Sequence, residues 1–107
     1  MIDLAPHHLA TVCRILAEQA PECEVRAFGS RVTGRARTHS DLDLAVISSG
    51  KIPLVRLGVL REAFQECELP IRVDVLDWHR ISAAFRAVIE KDSEIVQRSS
   101  REMIAEC

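Results

Sequence analysis

The stretch from Gly29 to Leu44, GSRVTGRARTHSDLDL, constrains this chain more than any other: a glycine–serine pair, ten residues, then two aspartates separated by one leucine. Val25 to Phe28 just before it is short, apolar and β-prone, so Gly29 falls where a strand must turn and where a missing Cβ lets backbone approach a phosphate. Ser30 is placed to cap the segment after the turn. Asp41 and Asp43 open a second apolar run ending at Ile47, and side chains two apart in a strand point to one face. Two carboxylates held side by side are costly unless a cation lies between them. Hard oxygen ligands of this kind suit Mg²⁺, which completes its shell with substrate phosphates.

An isolated Asp-x-Asp is a weak signal, because strand ends are often acidic and solvated. The spacing is stronger: at background frequencies, Gly-Ser, ten residues and Asp-x-Asp arise by chance in a chain this size on the order of once in a thousand. Four arginines and no acid lie between Arg26 and Arg37, which makes the turn a positive patch suited to a triphosphate. Each arginine taken singly is also compatible with a solvated loop.

These residues carry a resemblance. Gly29-Ser30, Arg31, Gly34 and Ser40-Asp41-Leu42-Asp43-Leu44 resemble the signature of the minimal nucleotidyltransferases, small members of the DNA polymerase β superfamily. The likeness continues through Val73-Asp74-Val75-Leu76-Asp77-Trp78 and Ile81, Phe85, Ile89, which resemble that family's third-carboxylate strand and last helix. It spans roughly residues 9 to 96. The family often reads Gly-Ser-Arg-Ala-Arg-Gly; Val32 and Thr33 stand in place of the Ala-Arg here, leaving Arg35 or Arg37 for the phosphate contact of the second arginine.

The resemblance implies a polymerase β palm-like α/β fold: a small mixed three-stranded sheet backed by helices. It also implies ATP as substrate and two Mg²⁺ ions held by Asp41, Asp43 and Asp74, which are the catalytic residues. Gly29, Ser30 and Arg31 are the expected nucleotide-binding residues. A nucleotidyltransferase of this size has little room for a second substrate, so the acceptor must bring its own binding surface. Small proteins of this family resemble the antitoxin half of two-gene modules whose other half is a HEPN-type ribonuclease, and the implied reaction is AMP transfer to a tyrosine of that toxin. The alternative from a different class is a non-catalytic subunit that neutralises a HEPN partner by binding it. A P-loop enzyme is excluded, because Gly-x-x-x-x-Gly-Lys-Ser/Thr is absent.

Composition bounds these readings. A chain of 107 residues is expected to form one domain over 1–107 and to bury ~65% of its unfolded surface. With 14 basic and 16 acidic residues the net charge is −2 and the pI about 6.1, so direct nucleic-acid binding is not expected. Cys13, Cys23, Cys67 and Cys107 show no paired metal-binding spacing, and Cys13 and Cys67 fall at helical core positions. MIDLAPHHLA lacks the basic and apolar regions of a signal peptide, and no apolar run is long enough to span a membrane, so a cytoplasmic location is expected.

In chain order, Leu9, Val12, Cys13, Leu16 and Ala17 predict a helix from Pro6 to before Pro21. Strands are expected at Glu24 to Phe28, Asp41 to Ile47 and Ile71 to Leu76, with a short helix at Ser30 to Gly34. A second long helix starts at Pro53 with Leu57, Leu60, Phe64 and Cys67 as its stripe. Asp74 lies mid-strand; an edge strand with one wet face would explain it, as would a third metal carboxylate. Asp77 precedes the periodic run Ile81, Ala84, Phe85, Val88, Ile89 and is expected to be an N-cap, where asparagine would serve as well. Ile95 and Val96 form a short apolar pair, and the tail from Arg98 to Cys107 is compatible with a further helix turn or a frayed end.

Overall fold

The computed structural model describes residues 2–100. Helix α1 (Pro6–Gln19) leads to β1 (Glu24–Phe28), the short α2 (Ser30–Thr33), β2 (Leu42–Ile47), α3 (Leu54–Glu66), β3 (Val73–Asp77), a 3₁₀ turn (Trp78–Arg80), α4 (Ala83–Lys91) and β4 (Ser93–Gln97). The strands form one mixed sheet in the order β3-β2-β1-β4. Antiparallel pairings join β1 to β2 and to β4, and a parallel pairing joins β2 to β3. The expected mixed α/β architecture is present, with a fourth strand: the Ile95–Val96 pair sits inside β4, which closes the free edge of β1. The tail expected beyond Arg98 falls mostly on 101–107, outside the described residues.

Period-two burial assigns the two faces of the sheet. Val25, Ala27, Leu42, Leu44, Val46 and Val75 pack with Val12, Ile15 and Leu16 of α1 and Leu57, Leu60 and Phe64 of α3. Both helices start at prolines or just after one, where a missing N–H costs nothing. The buried stripe of α3 is the expected one, whereas α1 turns Ile15 inward and leaves Ala17 exposed. Cys13 and Cys67 are only half-buried; Cys23 is fully buried, and burial raises its pKa.

The opposite face is thinly covered. Phe28, Ala45 and Ile89 form a small second core, joined by Leu76, Trp78 and Ile81. Helix α4 buries only Ile89, leaving Phe85 38% and Val88 64% exposed. β2 is an internal strand of the sheet, buried on both faces from Leu44 to Val46, and β3 is an edge strand. Among the described residues no helix is long and apolar enough to cross a membrane.

Candidate active site

Gly29 ends β1 in a conformation that few side chains adopt, with φ 81° and ψ −157°. It also has a neighbour that forbids a side chain: a Cβ built there would collide with Asp43 Oδ2 and lie 3.4 Å from Asp43 Cγ. The turn and the carboxylate are therefore packed against each other, because β1 and β2 pair with Phe28 opposite Asp43. The Gly29 carbonyl accepts from the amides of Val32 and Thr33, which starts α2. Ser30 is the first residue of that helix and not its cap, and its hydroxyl has no hydrogen-bond partner among the described residues. Gly34, also at φ 81°, ends α2 in the left-handed conformation.

Parallel pairing of β2 and β3 sets Asp43 directly across from Asp74. Asp41 stands just ahead of β2, two residues before Asp43, and is exposed. β3 is at the sheet edge, and its wet face carries Asp74 next to Asp43. Asp43 feels this crowding most. Burial first, then the negative charges of Asp74 and Asp41, push its pKa from 3.8 to about 6. The site has unbalanced negative charge at neutral pH.

That imbalance suits a metal cation. Among the described residues no three His, Cys, Asp or Glu side chains already converge as a cage. Mg²⁺ does not need one, since it binds one or two carboxylates and takes its remaining ligands from phosphates and water. The donor set and its excess charge fit a hard divalent cation bound together with a triphosphate.

Arg31 is placed differently from the expected phosphate contact. It is 7% exposed, and its guanidinium donates inward to four carbonyls: Nη1 to Asp3 (2.7 Å), Nε to Ser40 (2.9 Å), and Nη2 to Thr38 (3.3 Å) and Arg37 (3.4 Å). The side chain clips the loop between α2 and β2 immediately ahead of Asp41. Ser40 Oγ tightens the same loop by accepting from the Arg37 amide at 2.8 Å. Of the four arginines expected to form a positive patch, Arg26 also pairs within the chain, donating Nε to Glu24 at 2.9 Å. Arg35 and Arg37 are the exposed cations beside the turn.

Asp77 lies on the other side of the sheet and is not part of the carboxylate group. It caps the 3₁₀ turn by accepting from the His79 amide, while Ser82 caps α4. Its side chain is fully buried and also accepts from the Ile52 amide (2.8 Å) and Arg80 Nε (3.1 Å), which ties the β2–α3 connection to the end of β3.

Comparisons with known proteins agree with this geometry. The family described as Polymerase beta, Nucleotidyltransferase matches residues 13–102. A probable protein adenylyltransferase MntA of Haemophilus influenzae is 43% identical over 100 residues, covering 94% of this chain and 88% of that protein. Two solved structures share the fold. One is a toxin–antitoxin with AMP-PNP (TM-score 0.73, 18% identity, covering 88% of this chain and 76% of that one). The other is a tri-AMPylated Shewanella oneidensis HEPN toxin in complex with MNT antitoxin (TM-score 0.65, 15% identity, covering 92% and 76%). A strand, a Gly-Ser turn and a cross-strand aspartate pair, matched over most of the chain, make this protein a member of the polymerase β nucleotidyltransferase family.

Proposed function

We propose that this chain transfers AMP from ATP to a tyrosine hydroxyl of a HEPN-type ribonuclease partner in the cytoplasm and so acts as its antitoxin. The observation that carries the reading is the pairing of Asp43 with Asp74 across β2 and β3, with Asp41 two residues ahead and the Gly29–Ser30 turn against Asp43. Identity of 43% to a probable protein adenylyltransferase supports the substrate class. The whole chain, 1–107, serves as one minimal catalytic domain.

Asp41 and Asp43 would hold two Mg²⁺ ions and Asp74 one of the two; when bound, these ions supply charge neutralisation around the reacting phosphate. The Gly29 backbone and the Ser30 amide and hydroxyl hold the β- and γ-phosphates, with Arg35 and Arg37 nearby. Arg31 contributes from behind, by holding the loop that delivers Asp41. The acceptor oxygen attacks the α-phosphorus, forming the new O–P bond as the α–β bridging bond breaks and pyrophosphate leaves. The hydroxyl proton passes to the Asp74 carboxylate. AMP on a tyrosine adds negative charge, which near a ribonuclease site repels RNA.

One observation favours the binding-only alternative: Thr33 replaces the second motif arginine and Arg31 is turned inward, so the turn has fewer cations than the family pattern supplies. Co-expression with the HEPN toxin separates the two readings. Under the enzymatic reading, the Asp41→Asn, Asp43→Asn double variant leaves cells poisoned although it still forms the complex. Full rescue of growth by that variant at stoichiometric amounts establishes neutralisation by binding.

A further inference from the structure

The free edge of β3 has a groove beside the catalytic carboxylates. It encloses about 480 Å³ and runs between α3 and β3, with Arg61, Gln65, Leu69, Arg72, Val73 and Asp74 among its walls. The volume is in the range that takes a few side chains. Arg72 directs its carbonyl toward β2, where it accepts from the Leu42 amide at 2.9 Å. Alternation along a strand therefore turns the amide and carbonyl groups of Val73 and Val75 outward. Arg61 covers one of these, donating Nη2 to the Val75 carbonyl at 2.8 Å. The amide and carbonyl of Val73 face the groove, and among the described residues no strand lies beyond them.

Two features indicate what occupies it. In-line displacement requires the attacking oxygen and the leaving pyrophosphate on opposite sides of the phosphorus. The Gly29–Ser30 turn follows β1, on one side of Asp43, whereas Asp74 and the groove lie on the other, across β2. The groove is also cationic apart from Asp74 itself, with Arg61 and Arg72 both exposed along it. An open main-chain edge calls for an extended segment, and the arginines call for an acidic one.

We propose that the β3-edge groove is the acceptor channel: an extended acidic segment of the partner protein lies along β3, pairs with the Val73 backbone, contacts Arg61 and Arg72, and delivers its hydroxyl to Asp74. This rests on the transfer reading above and adds where the acceptor enters. The nucleotide does not use this groove.

The test uses Arg61→Glu, which reverses the charge, and Gln65→Trp, which fills the groove from the exposed side of α3. The HEPN partner is the acceptor at saturating Mg-ATP. Each variant should raise the KM for the partner about tenfold or more, leaving the KM for ATP and the rate at saturating partner within about twofold. Circular dichroism confirms folding, and calorimetry without ATP measures partner affinity independently of chemistry. Unchanged partner KM and affinity in both variants overturn the proposal. So does a rise in the KM for ATP alone, which would make the groove a nucleotide site, or a β3–β3 dimer by light scattering with partner affinity intact. A wild-type protein that transfers nothing, with partner affinity still lost in both variants, refutes the transfer reading while the surface assignment stands.

Discussion

Replacing Asp43 by asparagine should strengthen the metal-free protein while ending its chemistry. In the fold this carboxyl has a pKa of about 6, against an ordinary 3.8, through burial and the charges of Asp74 and Asp41. A raised folded-state value means that the stabilising contribution is complete below 3.8 and lost as pH rises through 6. At pH 7.5 the charged form therefore weakens the fold. Two pKa units correspond to about 3 kcal/mol at most; screening by solvent at this half-open site reduces the effect to ~1–2 kcal/mol. For a chain of this size that is a rise in Tm of about 4–12 °C for Asp43→Asn in EDTA. The advantage should shrink as pH falls toward 4, because Asp43 becomes protonated in the folded protein. Adding Mg²⁺ with a non-hydrolysable ATP analogue should reverse the order, since only the wild type gains the ligand's stabilisation. Thermal unfolding from pH 4 to 8, with and without ligand, measures all of this. A pH-independent difference, or a variant less stable than wild type at pH 7.5, would refute the account of crowded carboxylates.

The same geometry sets three further outcomes. Gly29→Ala forces a side chain into a glycine-only conformation and onto Asp43, so thermal unfolding should show a loss of ~2–4 kcal/mol and analogue titration a loss of nucleotide binding; wild-type values in both would mean the turn is built otherwise. Asp77→Asn, expected from the capping role alone to be mild, should cost ~2–3 kcal/mol in urea unfolding, because an amide NH₂ must now face the donors Ile52 N, His79 N or Arg80 Nε. Asp74→Asn should lower the transfer rate far more than it weakens binding of the ATP analogue, which single-turnover kinetics and titration separate; equal losses in both would place Asp74 with the triphosphate.

The placement of Gly29, Asp41, Asp43 and Asp74 was legible because it depends on short-range geometry: a turn after a strand, and same-face spacing within strands. Arg31 was not, because its burial depends on carbonyls of Asp3 and of residues 37 to 40 that only the folded chain brings together. Asp77 was half legible. Its position before a helical turn shows a cap, but the Ile52 amide that buries it lies 25 residues away. β4 was missed because two adjacent apolar residues, Ile95 and Val96, carry no period; what makes them a strand is the open edge of β1. The helical period at Phe85 and Val88 was real, but periodicity does not reveal whether a stripe is covered, and this one is exposed.

AMP transfer to a partner tyrosine is tested most directly by intact-mass spectrometry of the HEPN partner after incubation with this protein, Mg²⁺ and each nucleoside triphosphate in turn. The partner should gain the mass of AMP from ATP, mapped by fragmentation to a tyrosine, and gain nothing with EDTA or with Asp43→Asn. A partner of unchanged mass that is nonetheless fully inactive as a ribonuclease in the complex would contradict transfer as the mechanism.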